Sequence, residues 1–236
     1  MAQKKLKRFA ELKTFSNVLE YPEDMAGKWA VFFKNANPLV LELACGRGEY
    51  TVGLARLFPG QNFIGVDVKG NRMHLGAKKC LEEQRVNAGF LRTQIERLAD
   101  YFSPGEVSEL WITFPDPQLR TSRAKKRLTH PRFLRLYSYI LKPGGIIHLK
   151  TDSPDLYRFT KRVAEMYELT ILEESDNVYA AGNIKEELKI KTHYESLDIA
   201  QSRKIHYLKF SLPALIKDLD EQLQEILKHE EQLDRG

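Results

Sequence analysis

The stretch Glu42-Leu-Ala-Cys-Gly46-Arg-Gly48-Glu-Tyr-Thr51 places an acid and two glycines just ahead of a helical pattern. Two glycines let a backbone turn sharply and approach a ligand, and the helix start that follows offers free N–H groups. A dinucleotide fingerprint needs a third glycine where Thr51 stands, which disfavours pyrophosphate binding, and no G-K-[ST] is present to make a P-loop. What remains is a glycine turn with a second acid, Asp67, closing Ile64-Gly-Val-Asp67. A carboxylate there can accept both ribose hydroxyls of an adenosyl group, and Glu42 is placed for the cationic aminoacyl end of the same ligand. Further along, Thr113-Phe-Pro-Asp116-Pro117 fixes an acid between two prolines. From Gln118 to Arg135 come seven basic residues and no acidic one, a run suited to phosphates, though such a run alone is also an ordinary solvated face. Lys150-Thr-Asp152 offers another acid. Thr192-His-Tyr-Glu195 has a hydroxyl and a carboxylate three residues apart, which reads equally as a binding pair or as a helix-capping box.

These groups need elements to hold them. Between Pro38 and Lys150 apolar runs alternate with helical patterns. Strands are expected over Leu39–Ala44, Asn62–Asp67, Ala88–Leu91, Glu109–Phe114 and Gly145–Lys150. Helices are expected over Tyr50–Phe58, Asn71–Gln84, Ile95–Tyr101, Pro131–Leu141 and Pro154–Tyr167. Such alternation implies an α/β fold, a parallel sheet with right-handed crossovers and helices on both faces. Ligands then sit outside the carboxyl ends of the strands, where Glu42, Asp67, Asp116 and Asp152 fall. Two later strands, Leu169–Leu172 and Ile205–Phe210, lack a crossover helix between them and are expected to pair antiparallel at one edge. Leu212–Leu233 reads as an amphipathic helix whose apolar stripe packs on the domain or on a second copy.

The chain of 236 residues fits one domain, 1–236, with a basic N-terminal extension over 1–35 and the C-terminal helix over 212–236. A net charge of +5 is modest, but its distribution is sided: Lys4, Lys5, Lys7, Arg8 and Lys13 near the start, the basic run in the middle, and an acidic tail ending with Asp234. Two cysteines, Cys45 and Cys80, and no apolar run long enough for a signal or a span point to the reducing cytoplasm, with no membrane partner. No histidine has metal-ligand spacing, so no metal is expected.

In this combination the chain resembles the bacterial tRNA (guanine-N7-)-methyltransferases from about Pro38 to Phe210. The resemblance is carried by Glu42–Gly48, Ile64–Asp67, Phe114–Pro117 with the downstream Lys-Lys-Arg-Leu, Lys150–Asp152 and Thr192–Glu195. It implies a Rossmann-like class I methyltransferase fold: a mostly parallel seven-stranded sheet with an antiparallel edge strand. It implies S-adenosylmethionine as cofactor, tRNA as partner, and methylation at N7 of a guanine in the variable loop, by a monomer or homodimer. By the same resemblance Glu42, Gly46, Gly48, Asp67 and Gln94 are cofactor contacts and Asp116 is the catalytic acid. Arg120, Asp152, Thr192 and Glu195 are substrate contacts, and Ser122, Arg123, Lys125, Lys126 and Arg127 touch RNA. The chain departs from the family pattern where Gln118-Leu-Arg-Thr-Ser-Arg123 stands for the usual Trp-Pro-Lys-Lys-Arg-His. Ala44 also replaces a turn glycine, Asp67 a usual Glu, and Gln94 a usual Asp. The alternatives are a methyltransferase for another RNA base and a non-catalytic RNA-binding relative. Failure to bind the cofactor would favour the latter.

Overall fold

In the computed structural model, residues 2–180, 182–197 and 203–233 are described, apart from the side chains of Ala2, Lys4 and Lys5. Asp234 of the acidic tail and those two lysine side chains lie outside the described residues. The central strand β2 (Leu39–Leu43) is buried at every position, because helices cover both faces of the sheet around it. It pairs in parallel with β3 (Asn62–Asp67) on one side and β5 (Val107–Thr113) on the other. β4 (Ala88–Arg92) continues beside β3, and β6 (Leu141–Thr151) beside β5, both parallel. The chain therefore leaves β2 in one direction and returns on its other side, which makes the β2–β5 border the switch point. There, Leu43 is in register with Val66 and Ile112, so these three strands end level.

Alternation along the strands divides the core into two layers. Leu41 and Leu43 face one layer with Ile64, Val66, Leu110 and Ile112. Val40, Phe63, Phe90 and Trp111 face the other, under α3 (Glu49–Leu57) and α4 (Gly70–Glu82). Each fully buried Leu or Ile contributes about 1.5–3 kcal/mol relative to exposure. α5 (Pro131–Ile140) and α6 (Pro154–Met166) cover the first layer. Both begin with proline at the first turn and a side-chain cap. Ser153 accepts from Leu156 N at 3.2 Å. His130 Nδ1 accepts from Arg132 N at 3.2 Å, and burial pushes its pKa down to about 4, so the ring is neutral as this acceptor role requires.

Among the described residues the sheet has eight strands rather than the expected seven. The extra one, β1 (Val18–Glu20), adds in parallel to β4. Three half-buried residues carry too little periodicity to be read from sequence. The segment 1–35 is accordingly more than a basic extension. Its helix α1 (Ala2–Leu12) packs on α4, with Leu12 buried and Glu11 2.7 Å from His74 Nε2. The short α2 (Trp29–Phe33) buries Trp29 against Phe102, with the indole N–H donating to Tyr101 O at 2.8 Å. At the other edge, β8 (His206–Ser211) lies antiparallel between β6 and β7 (Thr170–Ser175), with a register shift in the β7–β8 pairing at Ile171/Glu173. A four-residue helix, α7 (Glu186–Lys189), interrupts the segment between β7 and β8. The C-terminal helix α8 starts at Asp220 rather than Leu212 and runs to Leu233. It docks on the domain through buried Leu223, and Arg135 grips Asp220.

Candidate active site

Glu42, near the end of β2, is buried, and its carboxylate is fully engaged. One oxygen accepts Thr51 N at 2.7 Å and Thr51 Oγ1 at 2.5 Å; the other accepts Thr113 Oγ1 at 2.8 Å. It thereby ties β2 to the first turn of α3 and to the end of β5. Thr51, which occupies the place of a third glycine, supplies two of the three donors. Burial, only partly offset by these hydrogen bonds, pushes the Glu42 pKa up to about 7. The folded protein thus binds a proton more tightly than the unfolded chain, which stabilises it at low pH. That stabilisation, up to about 3 kcal/mol, is lost as pH rises from the ordinary carboxylate range through 7. Denaturant titrations at pH 5 and 8 are expected to show the loss, and Glu42→Gln to flatten it.

The turn that follows places Ala44, Gly46 and Gly48 all at positive φ, of 57°, 55° and 74°. Ala44 thus adopts the backbone of the glycine it replaces, at roughly 1–2 kcal/mol of strain. Gly48 has no such freedom: a Cβ there would lie 2.5 Å from Phe90 Cε1, inside the buried β3–β4 layer. Gly48→Ala is expected to destabilise the protein by about 2–4 kcal/mol in urea denaturation, combining the conformational and overpacking costs.

A cavity of about 760 Å³ opens above the strand ends. Asp67 stands in its wall at the end of β3; its two oxygens accept Gly46 N at 2.9 Å and Lys69 N at 2.8 Å. Gly46, Gln94, Asp116, Lys126 and Asp152 share the lining, so six of the expected site residues converge. The loop after β5 carries Asp116 outward, with Phe114 and Gln118 both in the left-handed region at φ 47° and 48°. Such conformations cost about 1–3 kcal/mol each and persist only where surroundings impose them. Phe114 N donates to Lys150 O at 2.8 Å, and Gln118 N donates to Asp116 Oδ1 at 3.0 Å.

Other expected residues fall elsewhere. Glu42 and Gly48 lie behind the cavity wall and shape it. Arg120, Ser122, Arg123 and Lys125 are exposed on or beside the 3-10 turn Thr121–Lys126, outside the lining. Arg127, expected to face RNA, is instead buried, with its guanidinium turned onto the Asp116 loop. Thr192 and Glu195 are engaged within the protein. Thr192 Oγ1 accepts Glu195 N at 3.1 Å, the capping geometry. The Glu195 carboxylate pairs with buried Lys150 at 3.0 Å and accepts from Tyr179 OH. Between these two residues Tyr194 projects into the cavity wall beside Gly46, with the Arg72 guanidinium 5.5 Å from its ring centre.

Tyr194, Lys69, Arg72 and Thr93 are cavity residues that the sequence reading passed over. Tyr194 lies inside a motif already singled out; Lys69 and Arg72 carry no motif of their own. Thr93 is fully buried, and its hydroxyl lacks a hydrogen-bond partner. Among the described residues, Lys69, Arg72, Arg120, Arg123, Lys125 and Lys126 have no acidic partner within ion-pair distance. Cations on other faces, such as Arg56, Arg97, Arg158 and Lys217, do. Positive charge without a paired acid is therefore available in the cavity lining and on the adjacent 3-10 turn. No group of three or more metal-ligating side chains occurs among the described residues, and none of their helices is long and apolar enough to cross a membrane.

The arrangement can be compared with known proteins. Residues 36–208 match a family described as "Putative methyltransferase". A tRNA (guanine-N(7)-)-methyltransferase of Bacteroides thetaiotaomicron is 46% identical over 222 residues, covering 90% of this chain and 87% of the relative. The corresponding protein of Porphyromonas gingivalis is 48% identical over 213 residues, covering 85% and 86%. Among solved structures, the 16S rRNA methyltransferase KamB superposes with a TM-score of 0.61 at 18% identity, covering 84% of this chain and 99% of that one. A 30S ribosomal A1408 methyltransferase from an uncultured bacterium gives 0.58 at 21%, covering 79% and 93%. These two establish a shared class I methyltransferase fold and nothing finer. Carried by the sequence relatives, with the glycine turn, Asp67 and Asp116 set around one cavity, the chain belongs to the tRNA (guanine-N(7)-)-methyltransferase family.

Proposed function

We propose that this protein transfers the methyl group of S-adenosylmethionine to N7 of a guanine in the variable loop of tRNA. The observation that carries the reading is the cavity itself, with Asp67 and Asp116 in one lining and cations without a paired acid in that lining and on the adjacent 3-10 turn. Its residues suit an adenosyl cofactor: a carboxylate for ribose hydroxyls, a glycine turn that admits close approach, and the orphaned Thr93 hydroxyl beside Gln94 for polar base edges. When bound, S-adenosylmethionine supplies an electrophilic methyl on a sulfonium.

Guanine N7 offers an in-plane lone pair and carries no proton at neutral pH, so no general base is required. The chain's task is to hold the purine in line and to exclude water, a positioning effect worth on the order of 7–11 kcal/mol. Phe114, Pro117, Leu119 and Phe133 give that part of the cavity apolar walls. As N7 is alkylated the purine becomes cationic, and the Asp116 carboxylate stabilises that developing charge. Accepting from guanine N1–H and the 2-amino group, it also selects guanine over adenine. Arg120 and Asp152 are assigned to the substrate side. Thr192 and Glu195 act by holding Tyr194 at the wall. Arg123, Lys125 and Lys126 neutralise phosphates, with Ser122 alongside. The reading places the protein in the cytoplasm, and buried, unpaired Cys45 and Cys80 agree with a reducing compartment.

The test is incubation with labelled S-adenosylmethionine and unmodified bulk tRNA, then nucleoside analysis. Label in 7-methylguanosine is expected; label in another nucleoside, or none, refutes the assignment. Arg123→Ala is expected to weaken tRNA binding across sequences and to lower the log–log salt slope of the binding constant by about 1.

A further inference from the structure

Arg127 ends a run of cations, yet it makes none of the contacts that a phosphate-binding arginine keeps free. Its side chain is buried. Nε donates to Pro117 O at 3.2 Å and Gln118 O at 3.3 Å, and Nη2 donates to Gln118 O at 3.2 Å and Leu119 O at 3.3 Å. The guanidinium carbon lies 4.4 Å over the Phe159 ring, which fixes its plane. Those three carbonyls belong to consecutive residues of the loop that carries Asp116. The middle one belongs to Gln118, the left-handed residue whose N–H holds Asp116 Oδ1. A planar fork reaching three successive carbonyls is a geometry that arginine supplies and lysine does not.

We propose that Arg127 is a positioning residue, whose guanidinium clamps the 117–119 backbone so that Asp116 is presented to the cavity, and that it does not contact RNA. The Arg127 side chain is thereby distinguished from exposed Arg123, Lys125 and Lys126 of the same run. The clamp also accounts for Gln118 keeping a left-handed backbone in a loop without glycine. The proposal rests on Asp116 being the acid that acts on the substrate.

The test compares Arg127→Lys, Arg127→Met, Phe159→Leu and Asp116→Asn in single-turnover methyl transfer at saturating tRNA. It also measures tRNA affinity against salt and S-adenosylmethionine affinity by titration. Arg127→Lys is expected to slow transfer at least tenfold, with tRNA affinity, its salt slope and cofactor affinity within twofold of the parent. Phe159→Leu, which keeps the charge and removes the ledge beneath it, is expected to slow transfer several-fold with the same pattern. A phosphate contact predicts the opposite: lysine serves in place of arginine, and Arg127→Met lowers the salt slope while transfer at saturation stays intact. Either of those results overturns the clamp. Should Arg127→Met fail to fold, the lysine and Phe159 variants decide. An inactive Asp116→Asn beside a fully active Arg127→Lys rejects the clamp alone. A fully active Asp116→Asn rejects the role of Asp116 on which it rests.

Discussion

Asp116→Asn is expected to lower the methyl-transfer rate at saturating tRNA by about 10²–10³-fold, the loss typical when one preorganised electrostatic contact to developing charge is removed. The substitution keeps the shape of the side chain and an oxygen able to accept from Gln118 N, so the loop geometry survives. It removes the negative charge and offers an amide N–H₂ where guanine N1–H and the 2-amino group need acceptors. Cofactor affinity is expected to stay within a few-fold, because Asp67 and the Gly46 turn are untouched. Rapid-quench single-turnover measurements separate the two effects. A rate within threefold of the parent would sink the catalytic role of Asp116.

The second large effect is on stability. Lys150 has a fully buried ammonium that donates to Leu188 O at 2.9 Å, Ile190 O at 3.0 Å and Glu195 at 3.0 Å. Burial pulls its pKa below the usual lysine range, only partly opposed by Glu195. Lys150→Met leaves the Glu195 carboxylate, itself 5% exposed, without its counter-charge and leaves two carbonyls without a donor. Breaking a buried pair from one side costs about 3–5 kcal/mol. A urea-midpoint shift of that size is expected, with S-adenosylmethionine binding weakened because Tyr194 loses its support. The double variant Lys150→Met, Glu195→Gln is expected to recover part of the stability, since no uncompensated charge remains. A loss below 1 kcal/mol in the single variant would show the pair to be idle.

Much of this architecture was legible in the residues. The strands carrying the site are apolar runs bounded by turn residues, and helix starts at Pro131 and Pro154 carry their own signals. Asp67 and Asp116 could be placed at strand ends because an α/β sheet puts its ligand there. What sequence could not supply was direction. Glu42 was assigned to the ligand, but the third-glycine position holds Thr51, whose two donors tie the carboxylate to the start of α3 while Thr113 Oγ1 ties it to β5. Arg127 looks like its basic neighbours. The available signal was Ala124, an isolated small residue three positions earlier: spacing of three puts both on the inner face of a 3-10 turn. Thr192 and Glu195 read from spacing alone as evenly balanced between a binding pair and a cap, and by the family resemblance as substrate contacts. The structure has the capping hydrogen bond, with the lysine that engages Glu195 arriving from β6, 45 residues away in sequence. β1 was missed because its pattern has meaning only once β4 is beside it.

The two rims of the sheet also bear on how the protein behaves at high concentration. On one side the last strand, β1, is only three residues long and is reached from α1 on the neighbouring helix layer. On the other, β7 exposes Ile171 and Leu172, but its ladder is broken beside them, and Glu173 and Glu174 follow, tethered to Lys185 and Lys161. A strand from another molecule would have to follow an irregular backbone and displace two ion pairs to extend the ladder. The irregularity at Ile171/Glu173 therefore opposes edge-to-edge pairing beside the exposed apolar residues, a guard against fibrous self-association built into the strand itself.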